Sequence, residues 1–93
     1  MKRNEFTSKF EELKKNYEGK EEKALTIDNL IQDLFKTKDS MFTSSYDLYN
    51  ANYSYYVELE NDEFENLTVD YDITAEGSNS LDSYIKINEI YLA

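Results

Sequence analysis

The spacing of apolar residues changes near residue 41, and that change commits the chain to helices first and strands second. Before it, Phe6, Phe10, Leu13 and Tyr17 recur at intervals of four, three and four, which gathers them on one stripe of a helix. Glu11, Glu12, Lys14 and Lys15 then face water. After it, Tyr53, Tyr55, Val57 and Leu59 alternate with Ser54, Tyr56, Glu58 and Glu60, and Leu67, Val69, Tyr71 and Ile73 alternate with Thr68, Asp70, Asp72 and Thr74. A period of two sends successive side chains to opposite faces of a sheet, so each run has one apolar and one polar face.

Punctuation between these runs sets the connections. Gly19, following Tyr17 and Glu18, ends the first helix, because glycine adopts the positive φ that commonly stops one. A charged connector follows. Ile27, Leu30, Ile31, Leu34 and Phe35 form a second apolar stripe, with Thr26 as N-cap, Asp28 in the first turn where the helix dipole favours an anion, and Lys36 and Lys38 at the C-terminal end. A start nearer Lys20, running through Ala24, fits the pattern equally; both boundaries give a helical hairpin. Asn61, Asp62 and Glu63 make a turn that joins the two alternating runs as an antiparallel hairpin. A second turn covers residues 76–80. In the last run Ile85 and Ile87 have one parity and Ile90 and Leu92 the other, which predicts a bulge near Asn88 and Glu89. Residues 45–51 read as an edge strand. The expected fold is a single α+β domain over residues 1–93, with an N-terminal helical hairpin (1–40) packed on a three- or four-stranded antiparallel sheet (41–93). The helices would cover the face made by Val57, Leu59, Val69, Tyr71, Ile85 and Ile87.

A domain of 93 residues buries one modest core. The chain has no cysteine and no histidine, which removes disulfides, thiolate metal sites, the commonest metal ligand and the commonest general base. The first residues enter the amphipathic pattern directly, without the apolar stretch of a signal peptide or membrane span, so a cytoplasmic protein with no membrane association is expected. On that footing the sequons at Asn52 and Asn66 are chance matches. Nine Lys to one Arg, with nine Asn and nine Tyr and no Pro or Trp, is how an AT-rich genome spells a protein, and points to a low-GC bacterium or its phage.

Charge follows the same boundary as periodicity. Residues 1–40 hold nine bases and nine acids, whereas residues 41–93 hold eleven acids against Lys86 alone, so the second half carries the whole net charge of −10. Glu58 and Glu60 on one strand and Asp70 and Asp72 on the next would share the polar sheet face, spaced about 6.5–7 Å along each strand with the strands about 4.8 Å apart. The turn adds Asp62, Glu63 and Glu65. Opposed acids destabilise a sheet, and a chain needing only solubility has no reason to segregate its charge; a merely solvated face is the competing account. Such a field imitates nucleic-acid phosphates. Tyr53 or Tyr56 would add anchoring area.

Other chemistries fit less well. The carboxylates are hard ligands suited to calcium or magnesium, but the run 58–65 lacks the Asp-rich loop with its central glycine and is too short to wrap an ion. Paired acids serve glycoside hydrolysis across a cleft, and an open sheet face offers none, so neither a metal, a cofactor nor catalysis is expected. The tyrosines Tyr46, Tyr49, Tyr53, Tyr55 and Tyr56 suit packing better than base stacking, and the net charge argues against nucleic acid as a direct ligand.

In its small size, acidity and lack of cysteine, and in Glu58, Glu60, Asp62, Glu63, Glu65, Asp70 and Asp72, the chain resembles the small phage-encoded anti-CRISPR and anti-restriction proteins, many of which mimic DNA. The resemblance covers overall character across residues 41–93 and contains no diagnostic motif. It implies an inhibitor that occupies the nucleic-acid site of a basic effector such as a CRISPR nuclease, with Glu58, Glu60, Asp62, Glu63, Glu65, Asp70, Asp72 and Tyr56 as the partner-binding set. An immunity protein or antitoxin capping a basic nuclease is the related alternative. A small assembly protein, dimerising through the edge near Tyr46 and Tyr49, is the alternative from another class.

Overall fold

The computed structural model describes residues 1–37, 52–79 and 81–93. Helix α1 (Arg3–Tyr17) leads through strand β1 (Glu21–Lys23) into helix α2 (Ala24–Phe35), and β2 (Asn52–Glu58), β3 (Phe64–Ala75) and β4 (Tyr84–Leu92) follow. The four strands form one antiparallel sheet in the order β1-β4-β3-β2. This is the expected α+β architecture, with one change of topology. The connector between the helices is itself a strand, so the helices are not a simple hairpin. The proposed edge strand at residues 45–51, with Tyr46 and Tyr49, lies outside the described residues.

Both helices pack on one face of the sheet. Phe6 and Leu13 of α1 and Ala24, Ile27, Ile31 and Phe35 of α2 are buried with Tyr53, Tyr55, Val57, Leu59, Leu67, Val69, Tyr71, Ile85, Ile87 and Ile90 in one cluster. All six residues expected on the covered face are in it. The Phe6 and Phe35 rings meet at 5.3 Å between the helices. Burying each such side chain contributes roughly 1.5–3 kcal/mol, so this layer supplies most of the driving force for folding.

The start of α2 differs from both sequence boundaries. It begins at Ala24, with Lys23 at the N-cap position and no side-chain cap. Ala24 N–H instead donates to Ser83 O and Leu25 N–H to Leu81 O, so the loop before β4 supplies the acceptors that Thr26 was expected to provide. Asp28 is correspondingly not a first-turn surface acid. It is buried, accepting from the Tyr55 hydroxyl at 3.0 Å and from Gln32 Nε2 at 2.9 Å. Burial, reinforced by the Asp28 carboxylate, pushes the Tyr55 phenol above its ordinary value and keeps it a neutral donor. Gly77 allows the β3–β4 loop to close, because a Cβ there would lie 2.5 Å from the Asp82 carbonyl oxygen.

The edge of β4 is protected in two stages. Glu21, Glu22 and Lys23 of β1 pair with Lys86, Ile85 and Tyr84, and Gly19 and Lys20 exchange backbone hydrogen bonds with Ile87. Beyond β1, the end of α1 takes over. Glu18 accepts from Ile90 N–H at 2.8 Å, and Lys14, paired with Glu18 at 2.8 Å, donates to Ile90 O. One ion pair thus satisfies both backbone groups of an otherwise open edge residue.

Candidate outer sheet face

The face turned away from the helices is built by the even-numbered residues of β2 and β3. In the ladder Asn52 lies opposite Asp70, Ser54 opposite Thr68, Tyr56 opposite Asn66 and Glu58 opposite Phe64. Across to β4, Thr68 lies opposite Tyr91, Asp70 opposite Glu89 and Asp72 opposite Lys86. The register shift between Asp70 and Tyr71 leaves Asn88 as the extra residue and turns both Asn88 and Glu89 to water, which is the bulge expected from the parity change.

This register corrects the expected charge field. Glu58, Asp70 and Asp72 do share the outer face, but Glu58 and Asp70 sit six residues apart along the ladder, about 20 Å at strand spacing. The acids form two groups. Glu58 belongs to the hairpin end with the exposed turn residues Glu60 and Asp62. Asp70 and Asp72 belong to the opposite end, joined by Glu89 and, on β1, by Glu21, which pairs with Lys86. Lys86 therefore stands in register between two acids, Glu21 and Asp72.

Glu63 and Glu65 are not part of this face. Glu65 pairs with Val57, whose side chain is in the core, so its parity is that of the helix side. Arg3 at the start of α1 donates to Glu65 and, at 3.0 Å, to Glu63. With Met1 O accepting from Glu60 N–H at 3.0 Å, these contacts tie the N-terminus to the hairpin tip. The pairs are solvent-exposed and add little to stability.

Hydrogen bonds organise the second acidic group. Asn88 Nδ2 donates to Asp72 at 3.0 Å and the Tyr91 hydroxyl to Asp70 at 3.3 Å. Partial burial, then the nearby Asp70 and Glu89, raise the Tyr91 phenol above its ordinary value, so it stays a donor. These contacts offset the repulsion between Asp70 and the directly opposed Glu89. At the centre, Ser54 and Thr68 hydroxyls lie 2.9 Å apart.

At the hairpin end, beside Glu58, lies an aromatic pair. Tyr56 and Phe64 stack with ring centroids 4.9 Å apart and planes 24° apart, yet remain 55% and 51% exposed. Tyr56 is placed as expected. Tyr53 is not: it is buried on the helix side and stacked on Tyr71 at 5.0 Å, following the parity of Tyr55 and Val57. Phe64 was missed by the sequence reading, although its parity with Asn66, Thr68 and Asp70 marks it as an outer-face residue.

Among the described residues no group of three or more metal-ligating side chains is arranged to hold an ion, and no helix is long and apolar enough to cross a membrane. No family model, curated protein or solved structure matches the chain. The outer face has therefore to be interpreted from its own geometry.

Proposed function

We propose that this chain is a binding protein, not an enzyme, whose outer sheet face docks on a basic nucleic-acid-binding protein and competes with its nucleic acid. The observation that carries this reading is the exposed Tyr56–Phe64 pair beside Glu58 on a face with acids at both ends, where Lys23 and Lys86 are the bases among the described outer-face strand residues. Acids at that density steer a cationic partner from a distance, and exposed aromatics supply contact area once it arrives. The two-group layout mimics nucleic acid as a long negative track with a central gap, and not as a dense lattice of phosphates.

An inhibitor of a CRISPR or restriction effector, acting in the cytoplasm of a phage-infected cell, fits this chemistry; an immunity protein or antitoxin that caps a basic nuclease uses the same face. DNA-cleavage assays with purified CRISPR and restriction nucleases, titrated with the protein at low and high salt, test the proposal. Salt-sensitive inhibition that excess DNA reverses, and that Glu58→Lys with Asp70→Lys abolishes, supports it. Inhibition unaffected by both substitutions would place the binding surface elsewhere.

A further inference from the structure

We infer that the Tyr56–Phe64 pair is the seat of a guanidinium group, so that the segment docking on the outer face is an arginine-bearing stretch of the basic partner; this rests on the docking reading above. Two large aromatic side chains, each about half exposed, leave π surface facing water at the hairpin end of the outer face. Glu58 lies directly opposite Phe64 in the ladder, Asn66 lies opposite Tyr56, and Glu60 and Asp62 are exposed in the adjoining turn. Any occupant of the rings thus has the Glu58 carboxylate beside it, with two further exposed acids in the adjoining turn.

That surround selects among occupants. Nucleobases stack on aromatic side chains, but their phosphates would meet the acids and a chain of net charge −10. A second copy, joined through the same patch by two-fold symmetry, would set Glu58 and its neighbours against themselves. A cation is the complementary choice. Between the two basic side chains, arginine is favoured on both counts the site offers: its planar, weakly hydrated guanidinium lies flat on an aromatic ring, and its fork matches a carboxylate through two parallel hydrogen bonds. The lysine ammonium is a compact, strongly hydrated point charge that makes no flat stack. Tyr56 and Phe64 provide the ring surface, and Glu58 is the carboxylate nearest in register.

Oligoarginine and oligolysine peptides of equal length and charge separate this inference from the reading beneath it. Calorimetric titration of the intact protein is expected to give about tenfold tighter binding of oligoarginine, equivalent to about 1.4 kcal/mol. Tyr56→Ser and Phe64→Ser should each bring oligoarginine down toward the oligolysine affinity and leave oligolysine unchanged. Phe64→Tyr should retain the preference. Thermal unfolding of each variant checks that the fold is kept. Equal binding of the two peptides, insensitive to either serine substitution, overturns the guanidinium seat while leaving acidic docking in place. Failure of both peptides to bind overturns the acidic docking and the seat together. A concentration-dependent dimer that buries the Phe64 ring would replace the arginine segment with a second copy and likewise overturn it.

Discussion

The two faces of the sheet share strands but follow opposite rules. On the inner face Tyr53, Tyr55, Val57, Leu67, Val69, Tyr71, Ile85, Ile87 and Ile90 are sealed under two helices, and the one carboxylate that enters, Asp28, is held by Tyr55 and Gln32. On the outer face acids lie opposite acids, as with Asp70 and Glu89, and the rings of Tyr56, Phe64 and Tyr84 stay in water. The inner face is what stability alone would select. The outer face carries features that stability would remove, which is why it is the place to look for function.

That contrast is breakable by substitution, and the largest effect is expected inside. Ile87→Ala, at a fully buried position of the central layer, should lower unfolding stability by about 2–5 kcal/mol in a urea titration. Phe64→Ala on the outer face should cost far less, because the ring is half exposed. Equal losses at the two positions would erase the distinction between the faces.

Next in size is the polar link within the core. Tyr55→Phe removes the hydroxyl that donates to Asp28 and leaves that buried acceptor with Gln32 alone, which should cost about 1–3 kcal/mol by the same titration. A neutral result would mean that solvent already reaches Asp28.

The edge lock on β4 gives a smaller, pH-dependent effect. The hydrogen bond from Lys14, then that from Ile90 N–H, holds the Glu18 carboxyl below its ordinary value. A lowered folded-state value means that the group binds protons more readily when unfolded. Its stabilisation is therefore fully present above the ordinary glutamate range near pH 4.3 and lost as pH falls through the lower folded value. Glu18→Gln should remove this acid-side dependence while lowering stability near neutrality by about 1 kcal/mol. Stability curves of the two proteins that remain parallel below pH 5 would contradict the assignment.

The smallest effect on folding is expected at the outer acids. Asp70→Asn relieves repulsion from Glu89 and should change stability by no more than about 0.5 kcal/mol, detectable as a slightly raised or unchanged melting temperature. A large loss would show that Asp70 serves the fold through Tyr91 and not a partner.

Parity was the legible part of the sequence. Alternation of Tyr55 and Val57 with Ser54, Tyr56 and Glu58 assigned the two faces correctly, whereas Tyr53, expected as an outer anchor against its own parity, is buried; the shift from Ile87 to Ile90 located the bulge. Strand β1 was not legible, because Glu21, Glu22 and Lys23 hold their place by backbone pairing with β4 and carry no apolar alternation. The Asp28 environment was hidden too, since its partner Tyr55 lies 27 residues away. The charge field failed for another reason: alternation says which face a residue is on, not which rung. A hairpin turning at Asn61 pairs residues symmetrically about that point, so Glu58 meets Phe64 and Asp70 meets Asn52. Asn61 and Asp62 both adopt positive φ there, as their side chains tolerate well. Applying that symmetry would have separated the acids and brought Phe64 beside Tyr56.

The docking role of the outer face is tested most directly by measuring affinity for a basic nucleic-acid-binding effector across a salt series, with wild type beside Glu58→Lys, Asp70→Lys. The wild type should bind in competition with DNA, with affinity falling steeply as salt rises, and the double variant, equally stable, should lose binding at every salt concentration. Binding that is indifferent to salt and to both substitutions would contradict a functional role for this face.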